Sequence, residues 1–220
     1  MRILITAGNT QAPIDRVRCI TNIFTGRTGA AIAVFARQAS HTVTVMTSHP
    51  ESVKPATRLT VLPYRTFDEL HALMAGRISG GSFDAIIHCA AVSDYLPAGF
   101  FAADRVTPLA DAGKMKSDAP ELWLRLARAP KLVDMIRRDW GFRGVLVKFK
   151  LEVGIDDEKL LAIAEASRLQ SLANLMVANT LEGMTDWAFL GPLGGLYQQV
   201  ARSDLPNRLL DAITAIHEGR

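Results

Sequence analysis

The sequence predicts a three-layer α/β fold with a doubly wound, mostly parallel sheet and a small hairpin near the C-terminus. Apolar runs of strand length alternate with runs of helical periodicity, which is typical of βαβ units. Residues 85–89 are apolar without alternation, as expected for a strand that is buried on both faces of a parallel sheet. No repeat or linker interrupts this pattern, so we expect a single Rossmann-like domain over residues 1–220.

The predicted elements follow one another along the chain. Strand-like runs, bounded by turn residues, lie at 2–6, 42–47, 58–63, 85–89, 144–149 and 175–177. Helix-like runs lie at 28–38, 66–78, 129–139, 156–171 and 206–217. A hairpin is expected from 187–190 and 195–202, joined by a turn at Gly191-Pro192. Residues 94–118 are expected to form one long connection, and loops of this length are usually functional.

Composition narrows the class of protein. The chain is 49% hydrophobic and 21% charged, as in an ordinary globular domain, and no run approaches the roughly 20 apolar residues of a membrane span. The chain enters a strand directly after Met1-Arg2, so we expect no signal peptide, and a count of two cysteines favours a cytoplasmic location. A formal charge of +3 without a dense basic stripe favours small anionic ligands over nucleic acid. The five histidines show no metal-ligand spacing, so no protein-held metal is expected.

Two glycine-containing segments flank the first polar loop. Gly8-Asn9-Thr10 follows the first strand, and Gly26-Arg27-Thr28-Gly29 opens the first helix. Free N–H groups and the positive end of a helix dipole favour an anion there, so both segments are candidates for binding the phosphates of a nucleotide. The alternative is that the glycines serve only a tight turn and close helix–sheet packing. Both interpretations can hold together.

The loop between these segments is unusually long and carries Arg18 and Asn22. Such side chains can hold an anionic organic substrate beside a nucleotide, which favours an enzyme over a simple nucleotide-binding protein. Polar residues on a surface loop are often only solvated. The position of this pair between two glycine segments favours the functional interpretation.

Further candidates lie at the carboxyl ends of predicted strands, where open α/β sheets bind ligands. In His88-Cys89-Ala90-Ala91 the two alanines allow a ligand to approach the backbone, although a satisfied sheet-edge histidine is the simpler explanation for His88 itself. Asp94 can accept hydrogen bonds from a ribose or position a metal-bound phosphate. Phe149 can stack on a nucleobase or pack in the core. Lys114, in the long connection, can bring a cation to a phosphoryl group, although most loop lysines are simply solvated.

Taken together, these motifs resemble the phosphopantothenate–cysteine ligase family. The resemblance extends from residue 3 to the C-terminal helix, and its specificity lies in the order and spacing of motifs that are individually weak. The chain looks like the stand-alone bacterial form, because no flavin-binding decarboxylase domain is recognisable ahead of it. The motifs that match are Thr6-Ala-Gly-Asn-Thr10, Val17-Arg18, Thr21-Asn22, Gly26, Gly29, Ala91-Val-Ser-Asp-Tyr95, Lys114-Met-Lys116, Pro130-Lys-Leu132, Phe149-Lys-Leu-Glu152 and Val177-Ala-Asn179.

The resemblance implies a ligation in two steps, in coenzyme A biosynthesis. The carboxylate of 4′-phosphopantothenate attacks the α-phosphate of a nucleoside triphosphate and releases pyrophosphate. The amine of L-cysteine then displaces the nucleotide from the acyl-nucleotidylate and forms the amide. The family also implies CTP rather than ATP as the favoured co-substrate, Mg²⁺ to neutralise the phosphates, and a homodimer with shared sites.

The resemblance also assigns roles to residues of this sequence. It implies that Lys114 stabilises the first step and that Asn22 orients the acyl intermediate for the amine. It implies that Arg18 and Ala91 hold the substrate phosphate, with groups contributed by the neighbouring subunit, and that Asn22 also binds the substrate. The positions that match the nucleotide site are Gly8, Asn9, Thr10, Gly26, Arg27, Gly29, His88, Cys89, Ala90, Asp94, Lys114, Pro130, Lys131, Leu132, Val133 and Phe149.

Several positions depart from the family pattern. Asn9 stands where Gly or Pro is usual, Arg27 replaces Lys, and Ser167 and Ser171 occupy helix positions where the fused enzymes place nucleotide-contacting lysines. The two serines, with the Phe149-Lys-Leu-Glu152 motif, bear on the choice between CTP and ATP. The departures together leave a non-catalytic nucleotide-binding relative as one alternative. An NAD(P)-dependent oxidoreductase is the other, but the loop 8–13 lacks the G-x-G-x-x-G pattern that such an enzyme would carry.

Overall fold

The computed structural model describes residues 1–105 and 120–219 of the chain. Its strands are β1 (Arg2–Ala7), β2 (Gln11–Pro13), β3 (Cys19–Thr21), β4 (Thr42–Thr47), β5 (Leu59–Pro63), β6 (Ala85–His88), β7 (Tyr95–Phe101), β8 (Trp123–Arg128), β9 (Val145–Glu152), β10 (Leu175–Thr180), β11 (Trp187–Leu193) and β12 (Leu196–Ala201). Its helices are α1 (Arg27–Gln38), α2 (Phe67–Ser79), α3 (Leu132–Arg138), α4 (Asp157–Gln170) and α5 (Leu205–Glu218). In the described part of the chain, no helix combines the length and apolarity that crossing a bilayer requires.

Eight of the strands form one sheet, in the order β12-β11-β10-β9-β6-β1-β4-β5. The strands from β5 to β10 in this order run parallel, whereas β11 and β12 add an antiparallel edge. Read from β5 to β10, this is the 3-2-1-4-5-6 strand order of a doubly wound nucleotide-binding fold. The predicted fold class, with its mostly parallel sheet and C-terminal hairpin, is confirmed.

Side chains of the central strands alternate between two apolar layers. Ile3 and Ile5 of β1 pack with α1 and α5 on one face, and Leu4 packs with α2 and α3 on the other. Helix α4 packs on β10, where Leu160 and Met176 share a third buried cluster. Burying one such side chain stabilises the fold by about 1.5–3 kcal/mol, so the two layers hold the sheet and its strand ends rigidly.

Residues 94–118 do not form one continuous connection, and this prediction was wrong for its first part. Strand β7 begins at Tyr95, directly after Asp94, and pairs antiparallel with β8. Pro97 and Gly99, which favour a loop in the sequence, lie beside an irregularity between Pro97 and Phe100 where the register shifts. The remainder of the segment, including Lys114, lies outside the described residues.

The C-terminal hairpin turns at a different point from the predicted one. Strand β11 continues through Gly191-Pro192 as far as Leu193, and the turn lies at Gly194-Gly195. Both turn glycines have positive φ, 59° and 89°, which a two-residue hairpin turn requires. Gly191 instead faces Tyr197 of β12, where an added Cβ would lie 2.8 Å from the ring.

Two further boundaries differ from expectation. Helix α3 begins at Leu132 rather than at residue 129, because the Ala129 N–H is bonded to the Asp94 carbonyl and Pro130 follows it. The first polar loop contains a short antiparallel pair, β2 with β3, that the sequence pattern did not indicate. This small hairpin brings residues 19–21 back towards the end of β1.

Candidate functional site

The candidate site lies where the sheet reverses its winding, between β1 and β6. The chain leaves these two neighbouring strands to opposite sides, which opens a crevice at their carboxyl ends. The Ala91 N–H donates to the Gly8 carbonyl at 2.8 Å, and the Thr10 N–H donates to the Ala91 carbonyl at 3.3 Å. A cleft of about 520 Å³ opens there and is lined by Gly8, Ile23, Phe24, Thr25, Gly26, Arg27, Thr28, Cys89, Ala90, Ala91, Phe149, Lys150, Leu151, Asn179, Met184, Thr185 and Arg202.

The two glycine segments are in direct backbone contact. A Cβ added to Gly26 would lie 2.3 Å from the Gly8 nitrogen, and Gly26 has a φ of +80°. A Cβ on Gly29 would lie 2.6 Å from the Ala7 Cβ, so the start of α1 packs tightly on the end of β1. Close packing therefore does explain these glycines. It also places the N-terminus of α1 at the cleft.

Helix α1 begins without a capping side chain. Its N-cap is Gly26, and its first turn contains no acidic residue. The Gly26 carbonyl accepts a hydrogen bond from the Ala30 N–H at 3.0 Å. The positive end of the helix dipole is therefore not neutralised by a local carboxylate. Such an end favours an anionic ligand.

Asn22 is held at the edge of this cleft from both ends. Its side-chain Nδ2 donates to the Ala91 carbonyl at 3.0 Å, and its own backbone carbonyl accepts from Asn9 Nδ2. Asn9 is buried and is fixed in turn by Ser48, whose Oγ donates to Asn9 Oδ1 at 3.0 Å. Asn9, which stands where the family usually has Gly or Pro, thus links Ser48, at the end of β4, to Asn22, the predicted catalytic residue.

Thr10 joins the same arrangement. Its backbone carbonyl accepts from Thr21 Oγ1 at 3.0 Å, and its own Oγ1 accepts from the Ser93 N–H at 2.8 Å. These bonds tie the β2–β3 hairpin and the segment after β6 to the end of β1. Gly8, Asn9, Thr10, Asn22, Gly26 and Ala91 are therefore brought together.

Arg18 lies apart from this group. Its guanidinium pairs with Asp15 at 2.6 Å and its side chain is 50% exposed. The Asp15 carboxylate also accepts from the backbone N–H groups of Val17 and Arg18, both at 2.9 Å, which fixes a local turn. Within one chain, Arg18 does not line the cleft, and its role in a shared site stays a prediction.

His88, the last residue of β6, and Cys89, which follows it, face opposite sides of the sheet. His88 is buried on the α2–α3 side, where its Nδ1 lies 2.9 Å from Thr6 Oγ1. Burial, with the nearby Lys148 charge, lowers the pKa of His88 to about 4, so the ring is neutral at pH 7. Cys89 lines the cleft, and burial raises the pKa of its thiol to about 12, so the thiol is protonated at pH 7.

Asp94 and residues 130–133, also predicted to bind the nucleotide, do not line this cleft and lie at or near the start of α3. Lys131 pairs with Asp94 at 3.3 Å, and both side chains are well exposed. Leu132 and Val133 are buried in the core under α3, so their side chains do not face a ligand. Pro130 is exposed immediately before them.

Ser167 of α4 and Ser171, which follows the helix, are engaged in an internal network. Lys148 Nζ donates to Ser171 Oγ at 2.6 Å and to the Ser167 carbonyl at 3.0 Å, and Ser171 Oγ donates to Asp134 at 2.6 Å. Burial lowers the pKa of Lys148 to about 8, an effect that the Asp134 charge opposes. The Ser171 hydroxyl is therefore used within the protein.

Sequence reasoning missed several residues that line the cleft, among them Ile23, Phe24 and Arg202. Arg202 follows β12, which is antiparallel to β11, itself antiparallel to β10. The carboxyl end of β12 therefore lies at the same sheet edge as the carboxyl ends of the parallel strands. A cation directly after the last strand of a C-terminal hairpin was the available signal.

Known proteins resemble this chain over most of its length. A family model described as the DNA/pantothenate metabolism flavoprotein C-terminal domain matches residues 1–190. The coenzyme A biosynthesis bifunctional protein CoaBC of Thermococcus kodakarensis is 34% identical over 182 residues, which is 82% of this chain and 41% of that protein. CoaBC of Vibrio parahaemolyticus is 38% identical over 151 residues, 68% of this chain and 35% of that protein. The chain spans less than half the length of these curated relatives.

Solved structures share the whole fold. The DNA/pantothenate metabolism flavoprotein from Streptococcus pneumoniae matches with a TM-score of 0.87 at 27% identity, over 99% of this chain and 100% of that chain. A Cab2 variant in complex with phosphopantothenate-cysteine matches with a TM-score of 0.74 at 18% identity, over 99% of this chain and 86% of that chain. At 18% identity, the likeness to the Cab2 variant concerns the fold alone.

Proposed function

The chain belongs to the family of DNA/pantothenate metabolism flavoprotein C-terminal domains, and we propose that it is a phosphopantothenate–cysteine ligase. In the proposed reaction a nucleoside triphosphate activates the carboxylate of 4′-phosphopantothenate, and the amine of L-cysteine then forms the amide. The CoaBC relatives, whose name places them in coenzyme A biosynthesis, support this assignment. A protein of the same fold has been solved with phosphopantothenate-cysteine, so the fold itself is compatible with the proposed product.

One observation carries the proposal: Asn22 meets the glycine-lined cleft. Its amide is bonded to the carbonyl of Ala91, which lines the cleft together with Gly8 and Gly26. A side chain from the long polar loop therefore stands beside backbone suited to phosphate. A ligase needs this juxtaposition, because its acyl group and its nucleotide must meet at one bond.

The first proposed step joins the substrate carboxylate to the nucleotide. A carboxylate oxygen attacks the α-phosphorus, the bond to the β-phosphate breaks, and pyrophosphate leaves. The uncapped N-terminus of α1 and the Gly8 turn stabilise the phosphate charge. We assign Lys114 the role of the cation that approaches the phosphates as that charge develops.

The second proposed step is attack of the cysteine amine on the mixed anhydride. The C–O bond to the nucleotide breaks, the nucleoside monophosphate leaves, and the amine loses a proton as the amide forms. Asn22 is suited to orienting the acyl group because its own position is restrained through Ala91 and Asn9. A restrained amide loses little entropy when it engages the intermediate.

The proposal also covers the nucleotide, the oligomeric state and the metal ion. We favour CTP over ATP as the nucleotide and expect the active form to be a homodimer that shares sites. Mg²⁺ is expected with the triphosphate, held mainly by phosphate oxygens and water. Asp94, whose side chain is 67% exposed, is an oxygen ligand of the kind that Mg²⁺ accepts. When bound, the ion neutralises part of the phosphate charge.

The experiment is incubation of the protein with 4′-phosphopantothenate, L-cysteine and each nucleoside triphosphate separately. We expect pyrophosphate and amide to form in equal amounts, fastest with CTP. A chain that binds CTP but releases no pyrophosphate would be a non-catalytic relative. Pyrophosphate formed faster with ATP would correct the choice of nucleotide while leaving the ligase assignment intact.

A further inference from the structure

Arg202 lines the cleft and forms no ion pair within the part of the chain that the structure describes. Its Nη2 donates to the Thr28 hydroxyl at the start of α1. Its Nη1 is buried and has no hydrogen-bond partner among residues 1–105 and 120–219. Within those ranges no carboxylate forms an ion pair with this guanidinium.

Arg202 is half-buried, and a guanidinium that is partly withdrawn from water without a counter-charge is destabilising. Burial lowers the pKa of Arg202, which is the direction expected for an uncompensated cation. A charged Cys89 thiolate would oppose this shift, but burial raises the pKa of that thiol to about 12. The thiol is therefore neutral at pH 7 and supplies no negative charge. The described protein leaves this cation for a ligand to neutralise.

The surroundings indicate the chemical class of that ligand. Arg202 is bonded to Thr28 in the first turn of α1, a twelve-residue helix whose first turn has no acidic residue. Gly26 and Gly8 line the same cleft with bare backbone. A fixed guanidinium beside a helix N-terminus is an arrangement that suits a phosphate oxyanion, which accepts several charge-assisted hydrogen bonds at once.

We propose that Arg202 is a phosphate-binding residue of this cleft and that it binds the triphosphate of the nucleotide. This inference rests on the proposed ligase function, which supplies a ligand with phosphates at that end of the cleft. The substrate 4′-phosphopantothenate carries a phosphate of the same chemistry. The nucleotide is favoured because Arg202 is bonded to the helix-opening segment, whereas the predicted substrate residue Asn22 is bonded to Ala91.

The test uses Arg202→Met, which keeps the length of the side chain and removes the charge, and Arg202→Lys, which keeps the charge. Arg208→Met is the matched control, because Arg208 is an exposed arginine of α5 that is bonded to Gln198. Thermal unfolding and titration calorimetry are measured with CTP, pyrophosphate and 4′-phosphopantothenate. Should Arg202→Met not fold, Arg202→Gln replaces it, since an amide can still donate to Thr28.

We expect Arg202→Met to unfold at the wild-type temperature or above when no ligand is present. We expect its affinity for CTP and for pyrophosphate to fall by about 10- to 100-fold, the size of a lost charge-assisted contact. Arg202→Lys should recover part of that loss. The affinity for 4′-phosphopantothenate should change by less than about threefold, and Arg208→Met should match wild type throughout.

Unchanged affinity of Arg202→Met for CTP and pyrophosphate would overturn the inference. Loss of 4′-phosphopantothenate binding alone would also overturn it, by assigning the cation to the substrate. Failure of the proposed function has a different signature, because the wild-type protein would then bind nucleotide without releasing pyrophosphate. A wild-type protein that binds neither CTP nor pyrophosphate would contradict both.

Discussion

Replacing Gly26 by Ala tests whether the contact between the two glycine segments builds the cleft. Gly26 has a φ of +80°, and its Cβ would lie 2.3 Å from the Gly8 nitrogen, a backbone atom that cannot rotate away. Gly141 provides the control, because it has a φ of +65° and no atom within 4 Å of its Cβ position. Both substitutions place alanine at positive φ, but only one of them creates a collision.

The structure sets the size of the difference. Alanine at a left-handed φ costs about 1–2 kcal/mol, and the stiffer unfolded chain returns about 0.4–1 kcal/mol. Gly141→Ala should therefore lower the free energy of unfolding by about 1 kcal/mol. Gly26→Ala adds an overpacking cost of about 1–3 kcal/mol, since the start of α1 must move away from β1. We expect a total loss of about 2–4 kcal/mol.

Urea unfolding of both variants, with and without CTP, measures these quantities. The stabilisation that CTP confers on the wild-type protein should persist in Gly141→Ala and should be greatly reduced in Gly26→Ala, because a ligand stabilises only the state that it binds. Losses of unfolding free energy that agree within about 0.5 kcal/mol, together with equal CTP stabilisation, would refute the role of the Gly26–Gly8 contact.

Three further predictions concern single side chains. Lys114→Gln should slow pyrophosphate release by on the order of 10²-fold, as expected for loss of a transition-state cation, and a wild-type rate beside the control Lys54→Gln would refute that role. Asn22→Ala should allow the acyl-nucleotidylate to accumulate in quenched reactions; slower pyrophosphate release without accumulation would move Asn22 to the first step. His88 has its pKa lowered from 6.5 to about 4, so the stability that its neutral form provides is fully present above pH 6.5 and is lost as the pH falls towards 4. This loss should reach about 2 kcal/mol between pH 7 and pH 5 and disappear in His88→Gln, and parallel stability curves for the two proteins would contradict it.

The fold could be predicted where local pattern determines structure. Residues 85–87 are apolar and buried because β6 is covered on both faces, and a central position among the parallel strands is expected of such a run. The β7–β8 pair could not be predicted in the same way. Strand β7 contains Pro97 and Gly99, which favour a loop in the sequence, and β8 contains exposed Arg125 and Arg128. Its pairing depends on a partner more than 20 residues away in sequence.

The residues of the site, like the elements of the fold, could be predicted only where local sequence determines their position. Gly8, Gly26 and Ala91 lie at strand ends or helix starts, where sequence alone indicates backbone that a ligand can approach. Arg202 contacts Thr28 across 174 residues of sequence, and no local pattern reports such a contact. Leu132 shows another limit of local pattern: a position that matches a binding motif can carry a core side chain, here only 1% exposed.

The central claim is that the carboxylate of the substrate attacks the α-phosphorus of a nucleotide held in this cleft. The most direct measurement uses 4′-phosphopantothenate labelled with ¹⁸O in its carboxylate, with L-cysteine and CTP, and mass analysis of every product. The account predicts that one labelled oxygen leaves in CMP while the other stays in the amide carbonyl, and that pyrophosphate is unlabelled. Label in inorganic phosphate, with CDP as the second product, would contradict it.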